Sequence, residues 1–473
     1  MSALKPVTMT EQLRQLRSGE TTAEAMMTRA IRRAGDLGHL NAFLTVEPDL
    51  ALQQARAVDR ARTEGAKMPI LAGLPIGVKD NIDVEGWVTS GATPALAQLR
   101  AKATAPVLQK LLQSQAVLLG KTNLHELAFG VTNTNFTPIP AVRNPHDPAR
   151  ISGGSSGGTA AAIAAGIVSA GLGTDTSGSV RIPAALCGIA GLRPSVGAGG
   201  TERRYSSQGV LPISHTNDTP GPMAVSVEDL ALLDAVITGT DPVTAKSLKG
   251  VRLGVPDCFW IDLDPDVERV CRELCGKLAK AGAELVSVSL PRLRDVWRQV
   301  SAPVVLHEPR EDIPVWLAAN GRSDISIMDI FRQIVNPDVR AAFEVVTSES
   351  SDKNYRDAIQ NYRPELCRIY DGAFQKNGLA ALIFPTVPIP ATYIDIESAF
   401  GKVKVNGEDR EIFDTLVRNT DPGANAGLPG LSIPVGWTQS GLPVGIEIDG
   451  PVGSDRDVLG IGVSIEREIS NQV

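Results

Sequence analysis

Short apolar runs that end in polar turns alternate with segments of helical period along most of this chain. TTAEAMMTRAIRRA opens on a threonine cap with Glu24 nearby, and LALQQARAVDRARTEGA repeats alanine and arginine at helical spacing; both predict helices. LPIGVKD (74–80) and AVLLGKTN (116–123) read instead as buried strands. Between them, APVLQKLLQSQ sets Val107, Leu108, Leu111 and Leu112 on one helical face. Farther on, VRLGVPD, DPDVERVCRELCGKLAKAGA and ELVSVSLP give strand, helix, strand, the pattern of a parallel crossover. ALIFPT, LSIPVG and PVGIEIDG read as further core strands.

This alternation predicts an α/β fold: a mixed, mostly parallel central sheet covered by helices on both faces. The segment 297–363 departs from it, being more charged, helical in period and without clear strands. It reads as a variable helical excursion that shapes a substrate pocket, inside one domain spanning 1–473. Composition narrows the picture only in places. The 45 glycines and 32 prolines predict many tight turns, and a net charge of −7 argues against nucleic acid or an anionic membrane as main partner. The N-terminal MSALKPVTMTEQLRQLRSGE lacks the apolar core of a signal peptide, and no apolar run reaches membrane-spanning length. Five cysteines, an odd number, form no disulfide framework and point to a reducing cytoplasm. Cys271 and Cys275 share a helical face with Val267, Leu274 and Leu278 and read as core thiols; no metal or cofactor set emerges.

One stretch carries most of the candidate chemistry. RISGGSSGGTAAAIAAG (150–166) matches G-x-S-x-G at Gly153, Ser155 and Gly157. A nucleophile elbow needs a strand entering the turn, but Pro138, Pro140, Pro145 and Pro148 crowd the approach. A flexible linker would not run into a small, apolar, buried-looking segment. Phosphate could sit at a helix start, yet no Walker lysine follows. A second serine-glycine loop, GTDTSGSVRIP, places Ser179 24 residues after Ser155. The five histidines are scattered singly, each with a packing or surface role as an alternative, so histidine is a poor candidate for the base. A lysine with a depressed pKa can replace it. Lys79 ends the apolar run LPIGVK and either arrives near-buried or sits exposed beside Asp80.

Lys79 in LPIGVKDNI, the GGSSGGTAAAIAAG loop and GTDTSGSVRIPAALCGIAGLRPS together resemble the amidase signature family of Ser–Ser–Lys hydrolases. The likeness extends to GKTNLHELAFG, GPMAVSVEDLALL and NAGLPGLSIPVG, and is weakest between about 291 and 380. It implies a single large domain, Ser179 as nucleophile, Ser155 as bridging serine behind a cis peptide, and Lys79 as base. It also implies an oxyanion hole of backbone N–H groups at Thr176, Ser177, Gly178 and Ser179, with Ser156, Asp175 and Arg181 supporting the loops. Family members commonly carry glycine where this chain has Ser177, and a positive φ there would strain serine.

Within the family, GVTNTN, SHTNDTPGPM and RNTDPGANAGLPG look most like indoleacetamide and mandelamide hydrolases. That likeness implies a small-molecule amide of aryl- or indolyl-acetamide type, cleaved to carboxylate and ammonia without cofactor or metal, by an enzyme that could be a homodimer. Candidate pocket residues are Phe129, Val131, Thr132, His215 and Asn425 (or its neighbour Ala424), each with a core-packing alternative. Other readings of the same motifs are the amidase subunit of a glutamine-dependent tRNA amidotransferase and a urea- or allophanate-type hydrolase. A catalytically silent binding protein is disfavoured by the intact lysine and serine set.

Overall fold

The computed structural model describes residues 6–136, 138–198, 202–348, 352–394 and 401–470; the ends of the 1–473 domain span lie outside them. Eight strands precede a long helical insertion: β1 (Phe43–Val46), β2 (Pro75–Lys79), β3 (Val117–Thr122), β4 (Ala170–Asp175), β5 (Ala190–Arg193), β6 (Thr219–Ala224), β7 (Arg252–Pro256) and β8 (Glu284–Val288). After it come β9 (Ala381–Pro385), a separate two-stranded hairpin of β10 (Lys402–Val405) and β11 (Glu408–Glu411), then β12 (Gly430–Trp437) and β13 (Pro443–Asp449). All but the hairpin join one eleven-stranded sheet in the order β1-β3-β2-β4-β6-β5-β12-β13-β9-β7-β8.

The sheet is mixed. Parallel pairing runs through β3-β2-β4 and through β9-β7-β8, while the strands between pair antiparallel. The crossover expected at 252–288 is present: β7, the helix Pro265–Lys280 and β8, with both strands parallel. The middle differs because its connections are short. The link from β12 to β13 is too brief for a crossover, so the pair folds as a hairpin. Successive side chains of β12 face opposite layers. Leu431 and Ile433 pack toward Gly462 of the helix Asp455–Ser470, while Ser432 turns with Gly445 toward Ala185 of the helix Arg181–Cys187. Both faces are thereby covered.

The early helices form where capping and apolar spacing predict them. Thr22 accepts from the Ala25 N–H to start Ala23–Asp36, and Pro106–Gln113 buries Val107, Leu108 and Leu111 with Leu112 half-buried. Between β8 and β9 the described residues contain helices and no strand, from Leu293–Arg298 to Arg363–Asn377. This insertion brackets the predicted excursion.

Candidate active site

The two parallel neighbours β2 and β4 end side by side, and the crevice at the carboxyl ends of such strands is where α/β sheets bind ligands. Lys79 closes β2 and is fully buried. Its Nζ lies 2.7 Å from Ser155 Oγ and donates to Thr174 Oγ1 at 2.8 Å. Asn81 donates to the same threonine oxygen at 3.0 Å. The alternative reading, an exposed lysine paired with Asp80, does not hold: Asp80 faces Lys121, 3.0 Å away on β3. Burial pushes the Lys79 amine down to about 7, against the upward pull of Asp175 and Asp218. It is therefore an amine that can be neutral near neutrality.

GGSSGG enters the site as a buried turn ahead of the helix Gly157–Ala164, all of whose residues are buried. The Gly154–Ser155 peptide is cis, as the resemblance implied. A glycine is required at 158, since a Cβ there would lie 2.3 Å from the Asn123 carbonyl oxygen. Ser156 joins three pieces of the site: its N–H donates to the Ser179 carbonyl (3.1 Å), and its hydroxyl donates to the Thr174 carbonyl (3.2 Å) and accepts from the Thr174 N–H (3.3 Å).

The loop that carries Ser179 wraps around one carboxylate. Asp175 accepts from the N–H groups of Gly178 (2.9 Å) and Val180 (3.1 Å), from Arg181 twice at 3.0 Å, and from Arg193 at 3.1 Å. Burial alone would raise this carboxyl, but Arg181 and Arg193 hold it well below the usual carboxylate range. Of the four N–H groups expected from sequence to form an oxyanion hole, that of Gly178 is engaged by Asp175. The N–H groups of Thr176, Ser177 and Ser179 have no acceptor among the described residues. The positive φ of the loop falls at Gly178 (+131°), so serine at 177 carries no left-handed strain. Asp175→Asn is expected to destabilise the fold by about 3–5 kcal/mol, because two buried guanidinium groups lose their shared anion. Urea unfolding checks this; a change under about 1 kcal/mol would contradict it.

Ser179 opens onto a cavity of about 690 Å³ whose wall includes Phe129, Val131, Ile213, Trp297 and Val305. Two of the five pocket residues expected from sequence, Phe129 and Val131, therefore line it. The other three do not. Thr132 is buried, its hydroxyl accepting from the Thr134 N–H at 3.2 Å. His215 is half-exposed and pairs with Asp312 at 3.0 Å, whose hydrogen bond raises the imidazole to about 8. Asn425 turns inward, donating to Asp421 (2.8 Å) and accepting from Asn217 (3.0 Å), and the neighbouring Ala424 is buried too. What their segments contribute to the wall is Ile213, Val417 and Arg418 instead.

His215, Glu308 and Asp312 are the one cluster among the described residues with metal-ligand spacing. Glu308 already accepts from the hydroxyls of Ser214, Thr216 and Tyr355, so the cluster reads as an ion pair that braces the loop. Cys187 near the site is inert: burial pushes its thiol well up, and it donates to the Ser152 carbonyl. Sequence reasoning missed Thr174, Asn81, Asp218 and Arg193. Thr174 sits in the quoted GTDTSGS loop and Arg193 in GLRPS, but only their placement opposite Lys79 and Asp175 gives them work.

A family model described as Amidase matches residues 25–459. The mandelamide hydrolase of Pseudomonas putida is 38% identical over 97% of this chain and 91% of its own length. An indoleacetamide hydrolase of Allorhizobium ampelinum is 36% identical over 97% and 96%. A crystal structure of an amidase superposes with a TM-score of 0.84 at 31% identity, covering 98% of this chain and 99% of that one. With the family model and these relatives matched along nearly its whole length, this chain belongs to the amidase family and is an amide hydrolase.

Proposed function

We propose that this enzyme hydrolyses primary amides of the aryl- or indolyl-acetamide type to carboxylate and ammonia, with Ser179 as nucleophile, Ser155 as proton bridge and Lys79 as base. The observation that carries the reading is the 2.7 Å contact of a fully buried Lys79 with Ser155, beside a largely apolar cavity onto which Ser179 opens. Neutral Lys79 takes the proton of Ser155, which takes that of Ser179 as its Oγ attacks the carbonyl carbon. The carbonyl oxygen becomes an oxyanion held by N–H groups of Thr176, Ser177 and Ser179. The proton returns along the relay to the amide nitrogen, the C–N bond breaks, and ammonia leaves an ester on Ser179. Water, deprotonated by the same relay, then hydrolyses that ester.

The apolar wall suits an aromatic acyl group, and the relatives named for mandelamide and indoleacetamide point the same way. The five cysteines, all free thiols, support a cytoplasmic location. No helix among the described residues is long and apolar enough to cross a membrane. Ammonia release across aryl, indolyl, aliphatic and urea-type amides and free glutamine tests the substrate class. Turnover concentrated on arylacetamides is expected, and glutaminase activity without aryl-amide turnover would overturn the reading.

The pH profile follows from Lys79. Its folded pKa is near 7, and the active form is the neutral amine. Protonation as pH falls through that value removes the base, so kcat/KM should drop tenfold per pH unit on the acid side. A profile flat from pH 5 to 8 would contradict lysine as the base.

A further inference from the structure

The cavity wall and the oxyanion loop belong to segments far apart in the chain, yet two adjacent residues hold both. Thr420 donates its hydroxyl to the Ser177 carbonyl at 2.7 Å, and its own carbonyl accepts from Arg181 at 3.0 Å. Asp421, next along and almost fully buried, accepts from Trp297 Nε1 and Ser301 Oγ, both at 2.5 Å, and from Asn425 at 2.8 Å. Trp297 and Ser301 both line the cavity beside Ser179, on the first two helices of the insertion, Leu293–Arg298 and Ser301–Val305. Burial raises the Asp421 carboxyl, while the hydrogen bonds from Ser301 and Trp297 pull it back down. Asp421 is tied to the loop through the adjoining Thr420, whose hydroxyl holds the Ser177 carbonyl.

We propose that Asp421 is a positioning residue that locks the Trp297 wall of the acyl cavity to the oxyanion loop at Ser177, and so makes the enzyme select for bulky aromatic acyl groups. An acyl group that presses on Trp297 then presents its carbonyl at a fixed distance from the N–H groups of the loop, a register on which reaction rate depends steeply. A short acyl group does not reach the wall and gains nothing from the lock. The buried carboxylate suits this task because its donors are neutral groups, and charge-assisted hydrogen bonds are short and directional. The proposal rests on the aryl-amide reading above.

The test compares wild type with Trp297→Phe, which keeps an aromatic wall but removes the indole donor, and with Asp421→Asn. Steady-state kcat and KM are measured on phenylacetamide and on propionamide. For Trp297→Phe, a roughly tenfold loss in kcat/KM on phenylacetamide is expected, mostly in kcat, with propionamide changed less than about twofold. Adding Asp421→Asn to Trp297→Phe should worsen the phenylacetamide loss by less than the single Asp421→Asn does alone, the signature of a shared interaction. Equal losses on both amides, or no loss on either, would overturn the proposal. Should Asp421→Asn fail to fold, the Trp297→Phe ratio decides alone. The wild-type preference between the two amides tests the substrate reading separately, because the proposal is read only from variant-to-wild-type ratios.

Discussion

Ser179→Ala is expected to abolish amide hydrolysis, lowering kcat by at least about ten-thousand-fold while leaving the fold intact. The magnitude follows from what the alanine removes. Ser179 supplies the only protein atom that bonds to the substrate carbonyl in the proposed mechanism, and no neighbour can take over. Ser155 is fully buried against Lys79, and Cys187 is buried with its thiol pushed well up. Substrate binding should survive, because the cavity wall is untouched and Ser179 contributes one small side chain to it. Ammonia release in single-turnover and steady-state assays measures the loss. Retention of more than about one per cent of wild-type kcat would contradict nucleophilic attack by this serine.

Lys79→Ala should cost nearly as much, about a thousandfold or more at neutral pH, with a residual rate that climbs steeply as pH rises. In wild type the burial of Lys79 supplies a neutral amine 2.7 Å from Ser155. Without it, solvent hydroxide is left to accept the Ser155 proton, and hydroxide grows tenfold per pH unit. Rates for the variant from pH 6 to 10 separate this from simple misfolding, which would leave no such slope. Lys79→Met fills the vacated volume and should behave alike, because the chemistry lost is the amine and not the packing. A variant as active as wild type at pH 7 would remove lysine from the relay.

Much of this arrangement is legible from residue order, and the exceptions have physical causes. LPIGVK reads as a buried strand because its apolar run ends on one polar turn, and β2 is that strand, with Lys79 at its last position. The prolines of TPGPMA argue against a central strand, yet β6 is one. Its neighbour β5 pairs only Met223 and Ala224, so Pro220 and Pro222 lie beyond that ladder. The hairpin β10–β11 carries an Asn406-Gly407 turn with positive φ at both residues, a strong local signal. KVKV buries Val405 and half-buries Val403, but EDRE is exposed throughout, so only one strand of the pair shows an apolar face. Pocket residues were the hardest to read. Asn425 and Phe129 look equally plausible in sequence, and only the inward turn of the helix Asp421–Asn425 separates them. The sequence separation of 124 between Trp297 and Asp421 leaves no local trace of their hydrogen bond.

The division of labour between the two serines is the central claim, and the position of the acyl group in the covalent intermediate tests it most directly. An activated aryl ester or a slow arylacetamide is mixed with the enzyme, the reaction is quenched in acid, and the adduct is located by mass spectrometry. Trypsin releases residues 151–181 as one peptide holding both serines, so cleavage before Asp175 or fragmentation of the peptide is needed to tell them apart. The acyl mass should fall on the fragment carrying Ser179, with none on Ser155. An adduct on Ser155, or one that persists in Ser179→Ala, would contradict the account.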